Sequence, residues 1–162
     1  PLVKSIIYCE LGDFEKADDS IADCLRALDS SDLLAAIKEN QKTSATFIKA
    51  VVAAGRQDFD TAQALAATFK EKMAAINNPA IQKQPGWLLG DIALAQGDAN
   101  KAVEYLSPGE MDDAWFMYYF AVAKEKAGDA AGAAELYKKV ANWNLDDAFY
   151  AFVRQKAIAK MQ

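Results

Sequence analysis

The sequence predicts an all-helical protein built from successive helix hairpins, and three observations favour this fold class. Alanine, the residue that most favours helices, is abundant. Long intervals lack proline, the strongest helix breaker, because the chain has only Pro1, Pro79, Pro85 and Pro108. Sustained period-two alternation is not apparent, whereas apolar residues recur at intervals of three and four, as in Ile21, Cys24, Leu25 and Leu28.

One short phrase returns four times and divides the chain into hairpins. It reads LGDFEKA at 11–17, RQDFDTA at 56–62, QGDANKA at 96–102 and AGDAAGA at 127–133. Each part has a physical sense: glycine adopts the left-handed conformation that ends a helix, and aspartate caps the next helix. The alanine four residues after the aspartate lets two helices pack closely. The phrases are unequally spaced, so the sequence predicts an irregular repeat protein.

These turns define the helices in order. The phrases separate the first helix from the second, the third from the fourth, the fifth from the sixth and the seventh from the eighth. We expect helices near residues 2–11, 14–29, 31–55, 58–77, 86–96, 98–106, 111–127, 130–142 and 146–161.

Two segments need separate arguments. The third helix is expected to begin at a cap formed by Ser30-Ser31-Asp32. Its polar middle, from Lys38 to Ser44, is compatible either with one long helix or with a break into two. Asn77-Asn78-Pro79 and Gln84-Pro85-Gly86 bracket the one plausible internal linker.

Composition limits the function classes. The 162 residues fit a single domain over 1–162, and the net charge of −5 with a pI near 4.8 disfavours nucleic acid and anionic lipid surfaces. No apolar run approaches the length of a membrane-spanning helix, so direct membrane insertion is not expected. The chain begins at Pro1 without a methionine, as a fragment of a longer protein would. The compartment is not predicted.

Catalytic chemistry is not expected. The chain has no histidine and two cysteines, which removes histidine-based triads and most zinc sites. The adjacent carboxylates are interpreted as solvated or capping groups, since neighbouring helical residues point in different directions; they are Asp18-Asp19, Asp112-Asp113 and Asp146-Asp147. Cys9 and Cys24 are expected to be reduced and mostly buried. We predict no enzyme activity, no catalytic residue, no metal site and no cofactor.

The repeat phrases resemble the tetratricopeptide repeat (TPR) family. The segment from Trp87 to Asp98, WLLGDIALAQGD, is the clearest match, and the unit with Ala121, Gly128 and Ala133 is close to the pattern. The unit around Asp58 departs from it, because Gln57 replaces the turn glycine. The resemblance implies a right-handed superhelical α-solenoid of stacked antiparallel helix hairpins.

The resemblance also implies a candidate binding site. In the family, first helices line a concave groove that receives peptides or partner helices. On that register the groove would be an apolar wall with an acidic edge, formed by Trp87, Asp91, Trp115, Tyr118, Tyr119 and Val122. The polar clamp with which some members bind chaperone tails is absent. The groove would instead prefer an apolar or aromatic ligand, with a basic residue meeting Asp91 or Glu125. The alternative is that the aromatic residues form helix core.

Two functions follow from this interpretation. The first is a non-catalytic protein–protein interaction module that binds a peptide or partner helix in its concave groove. The alternative is an assembly or scaffold element that packs on another domain or on another copy of itself through its flank or its solenoid ends. The identity of the partner is not predicted.

Overall fold

The all-helical prediction is confirmed. The structure, a computed structural model, describes residues 2–76, 78–79, 81–108, 113–144 and 150–162. Within these ranges the chain forms nine α-helices and one short 3₁₀ helix at Ile81–Lys83, and no strand occurs. The α-helices are α1 (Leu2–Glu10), α2 (Phe14–Asp29), α3 (Ala35–Gly55), α4 (Phe59–Ala74), α5 (Gln84–Ala95), α6 (Ala99–Leu106), α7 (Ala114–Lys126), α8 (Ala130–Ala141) and α9 (Tyr150–Ala159).

The chain divides into two compact units, Pro1–Leu88 and Leu89–Gln162, and the boundary falls within α5. In the first unit α1 packs on α2, α3 packs on α4, and α3 also contacts α1 and α2. In the second unit α7 packs on α6, α8 and α9. The packing of consecutive helices agrees with the predicted hairpins, whereas the single domain over 1–162 and the right-handed solenoid stay predictions.

The four repeat phrases form the same turn. The backbone is left-handed at the second residue of each phrase. The φ values are 73°, 64°, 81° and 91° at Gly12, Gln57, Gly97 and Gly128. Each turn closes two hydrogen bonds to the end of the preceding helix; in the first, Gly12 N–H donates to the Cys9 carbonyl and Asp13 N–H to the Tyr8 carbonyl. This is the Schellman arrangement, which satisfies carbonyl groups that the helix leaves without a partner.

The aspartate of each phrase caps the following helix, as predicted. The side chains of Asp13, Asp58, Asp98 and Asp129 each accept a hydrogen bond from the backbone N–H three residues later. Such caps contribute about 1 kcal/mol each. The alanines that follow are buried as expected, with exposures of 0% for Ala17, Ala62 and Ala102 and 2% for Ala133.

The predicted start of the third helix is wrong by four residues. The helix is continuous from Ala35 to Gly55, and Leu34 precedes it without a side-chain cap. Ser30 and Ser31 do not cap it, because their hydroxyls donate to carbonyls at the end of α2; Ser31 Oγ, for example, lies 2.7 Å from the Leu28 oxygen. The two serines therefore complete α2 instead of starting α3.

The core of the second unit surrounds α7. Phe116 and Met117 are buried together with Leu106 from α6 and Val140 from α8. Gly90, on α5, is buried against α6, and a Cβ at this position would overlap the Leu106 side chain. A residue without a side chain is therefore required at this position of α5.

Candidate functional site

The predicted groove residues differ in burial and in unit. Tyr118 is buried, with 8% of its surface exposed, whereas Trp115, Tyr119 and Val122 are half-buried. Asp91, also half-buried, belongs to the second unit with these α7 residues. Trp87 is half-buried in the first unit. The expectation that Trp87 and Asp91 lie beside α7 stays a prediction.

The aromatic residues of α7 do contact one another. The ring centroids of Trp115 and Tyr119 are 5.5 Å apart, and those of Tyr118 and Tyr119 are 5.4 Å apart in an edge-to-face arrangement. Trp115, Tyr119 and Val122 stand at spacings of four and three, which places them on one side of the helix. We call these three residues the α7 stripe. The helix combines a buried side with a partly exposed aromatic side, and the groove interpretation stays a prediction.

The C-terminal helix lies against α7 next to the stripe. Phe152 packs edge-to-face on Trp115, with 6.4 Å between ring centroids. Lys156 places its ammonium nitrogen 5.9 Å from the centre of the Tyr118 ring, at the distance of a cation–π contact. These two α9 residues extend the aromatic surface of α7.

Lys160, the residue that follows α9, joins an ion pair at the end of α7. Lys160 Nζ lies 2.8 Å from Glu125 Oε2, and the Tyr137 hydroxyl of α8 donates to the same oxygen at 2.6 Å. The Lys160 ammonium group, followed by the Tyr137 hydroxyl, lowers the pKa of Glu125. Burial and the hydrogen bond to Glu125 raise the pKa of Tyr137. Glu125 thus already binds a basic residue, and that residue comes from the same chain.

The sequence interpretation missed most of this arrangement. It gave no role to Phe152, Lys156, Lys160 or Tyr137. The available signal was the spacing of Phe152, Lys156 and Lys160, which are four residues apart and therefore share one side of a helix. Which helix they contact depends on tertiary packing.

Cys9 and Cys24 are free thiols, and burial, followed by the nearby Glu10 carboxylate, raises the pKa of Cys9 to about 11. At neutral pH this thiol is protonated and weakly nucleophilic. Among the described residues no group of three or more metal-ligating side chains could hold an ion. Within the same residues, no helix has the length and apolar character needed to cross a membrane. Asp112, Asp146 and Asp147 lie outside the described residues.

No protein-family model, curated protein or solved structure matches this chain. The class that the fold defines is that of all-helical proteins with hairpins joined by a repeated Gly-Asp type of turn. The resemblance to TPR proteins stays a prediction that rests on the sequence phrases.

The Glu125 ion pair is expected to make stability depend on pH on the acid side. The folded state lowers the pKa of Glu125 from its ordinary 4.5, so its contribution is present above that pH and is lost as the pH falls through the lowered value. Glu125→Gln should therefore reduce the drop in melting temperature between about pH 6 and about pH 3.

The matched control is Glu135→Gln, which removes an exposed carboxylate from α8. This variant should show a drop close to that of the unmodified protein. Equal drops in all three proteins, measured by thermal denaturation in one buffer series, would show that the Glu125 pair does not stabilise the folded state.

Proposed function

We propose that this protein is a non-catalytic interaction module that binds a peptide or helix of a partner protein at the α7 stripe. The observation that carries the proposal is the partial exposure of Trp115, Tyr119 and Val122 on a helix whose other residues include seven that are buried. A partner can therefore reach two aromatic rings that the fold holds in place.

The chemistry of the stripe suits protein recognition. Tryptophan and tyrosine are enriched at interface positions that dominate binding, because they bury a large area and lose little conformational entropy. The contact between Trp115 and Tyr119 restrains both rings before a ligand arrives. Such preorganisation lowers the entropy cost of binding.

The test is a peptide-display selection on the folded protein, followed by affinity measurements on two variants. Val122→Lys places a charge within the half-buried stripe and should weaken the selected peptides by about tenfold or more, since an unpaired buried charge costs free energy. The control, Ala134→Lys, adds the same charge at an exposed position of α8 and should leave binding unchanged. Equal affinities for both variants would contradict the proposal.

A specific observation favours the alternative, an assembly element. Val3, Ile7 and Leu11, four residues apart, have exposures of 39%, 37% and 73%. They form an apolar stripe on one side of α1 and its C-terminal turn, and larger apolar surface of this kind often marks an interface. Light scattering separates the two functions: a dimer that Ile7→Lys dissociates supports assembly, and a monomer supports peptide binding.

A further inference from the structure

Phe152 and Lys156 of α9, and Lys160 in the turn that follows it, contact α7 as a regular series. Phe152, Lys156 and Lys160 follow one another at intervals of four residues and meet α7 at Trp115, Tyr118 and Glu125 respectively. Along this contact the residue numbers increase in the same direction in both segments, so α7 and α9 run parallel to each other. An aromatic residue therefore lies at one end of the contact, and a lysine is paired with a carboxylate at the other.

This series has the chemistry that the sequence analysis expected of a ligand. That expectation was an apolar or aromatic group with a basic residue directed at Asp91 or Glu125. Phe152 supplies the aromatic group, and Lys160 supplies the basic residue at Glu125. The contacts of α9 show which side chains the α7 surface accepts.

We propose that α9 occupies this surface as an intramolecular ligand, and that the partner is an amphipathic helix with the same pattern. The partner would carry an aromatic residue followed by basic residues four and eight positions later. It would replace α9 on Trp115, Tyr118 and Glu125, a surface that borders the α7 stripe and shares Trp115 with it. The inference rests on the proposed function and adds to it the chemical class of the partner and an internal competitor.

The anchoring of α9 is compatible with replacement. Only Val153 and Ala157 of its ten residues are buried. By comparison, α7 buries seven residues of thirteen and α8 buries five of twelve. The Lys160–Glu125 pair is partly exposed on both sides, with side-chain exposures of 43% and 39%. Exposed ion pairs hold helices weakly. Although α9 also packs on α8, it buries the fewest residues of the three helices and is therefore the least firmly anchored of them.

Competition by α9 predicts how affinity responds to mutation. A site that is open for only a fraction of the time binds its ligand with an affinity reduced by that fraction. Substitutions that loosen α9 without altering α7 should therefore strengthen binding of a helix added in trans. If α9 were instead a permanent structural part of this surface, the same substitutions should weaken binding of the added helix.

The experiment uses a labelled synthetic peptide with the sequence of residues 150–162, YAFVRQKAIAKMQ, and fluorescence anisotropy with the full chain. The host variant combines Phe152→Ala with Lys160→Glu, which removes both ends of the α9 contact. We expect it to bind the peptide at least about tenfold more tightly than the unmodified chain does. The control host, Lys139→Glu, makes the same charge change at an exposed site on α8 and should bind like the unmodified chain.

A charge exchange tests the same contact without loosening Phe152. The chain with Glu125→Lys should prefer a peptide carrying Lys160→Glu to the original peptide, whereas the unmodified chain should show the reverse preference. This comparison still tests the inference if circular dichroism shows that the Phe152→Ala, Lys160→Glu host fails to fold. Absence of the reversed preference would overturn the inference.

The outcomes separate the inference from the function on which it rests. If peptides from the display selection bind in a manner sensitive to Val122→Lys, while the α9 peptide binds no variant, the proposed function stands and the inference fails. If neither kind of peptide binds, both fail. Tighter binding of the α9 peptide to the loosened host, with the reversed charge preference, supports both.

Discussion

Phe116→Ala is expected to lower the free energy of unfolding by about 3–5 kcal/mol, the usual cost of removing a large buried side chain and leaving a cavity. The Phe116 ring is 2% exposed and lies 6.1 Å from the Phe120 ring, centroid to centroid. Chemical denaturation followed by circular dichroism measures the loss.

The matched comparison is Trp115→Ala at the adjacent position of α7. The larger tryptophan ring is only half-buried, so its removal should cost less, about 1–2 kcal/mol. A loss from Trp115→Ala equal to that from Phe116→Ala would show that Trp115 is a core residue and would remove the main support for the α7 stripe as a binding site.

Ala102→Leu is expected to destabilise the protein by about 1–3 kcal/mol, because the added atoms enter a closely packed helix contact. Ala102 is completely buried on α6. It holds the last position of the third repeat phrase, where the sequence predicts a small residue. Thermal or chemical denaturation gives the change in stability.

Asn100→Leu provides the control on the same helix. Asn100 is exposed, and substitutions at exposed sites usually change stability by about 0.5 kcal/mol or less. If Ala102→Leu proves as neutral as Asn100→Leu, the assignment of the repeat alanines to helix crossings is wrong.

The sequence predicted the hairpin turns well because their chemistry is local. Glycine and aspartate determine the turn through the left-handed backbone and the cap, both of which act within a few residues. Gln57 adopts the same conformation as the three glycines, with φ of 64°, although side chains disfavour it. The surrounding helices and the Asp58 cap therefore hold this turn in the shared geometry.

The predicted start of the third helix was wrong because the same serines can stabilise either of two neighbouring helix ends. Ser30 and Ser31 have the chemistry of an N-cap, yet their hydroxyls donate to carbonyls at the end of α2. Serine can satisfy either end of a helix. Lys38 donates to the Asp29 carbonyl, and Lys42 pairs with the Asp29 side chain, so contacts from the next helix also act on the end of α2.

The sequence by itself determined the fold class, the hairpin turns and the positions where alanine must be buried, because helix propensity, periodicity and capping depend on near neighbours. Only the tertiary structure decided which side of α7 stays accessible and which helix covers the rest. Glu125 was expected to meet a basic residue of a ligand, and packing instead brings Lys160 to it from the same chain. Contacts between residues this far apart in sequence depend on how whole helices pack, which the spacing within one helix does not specify.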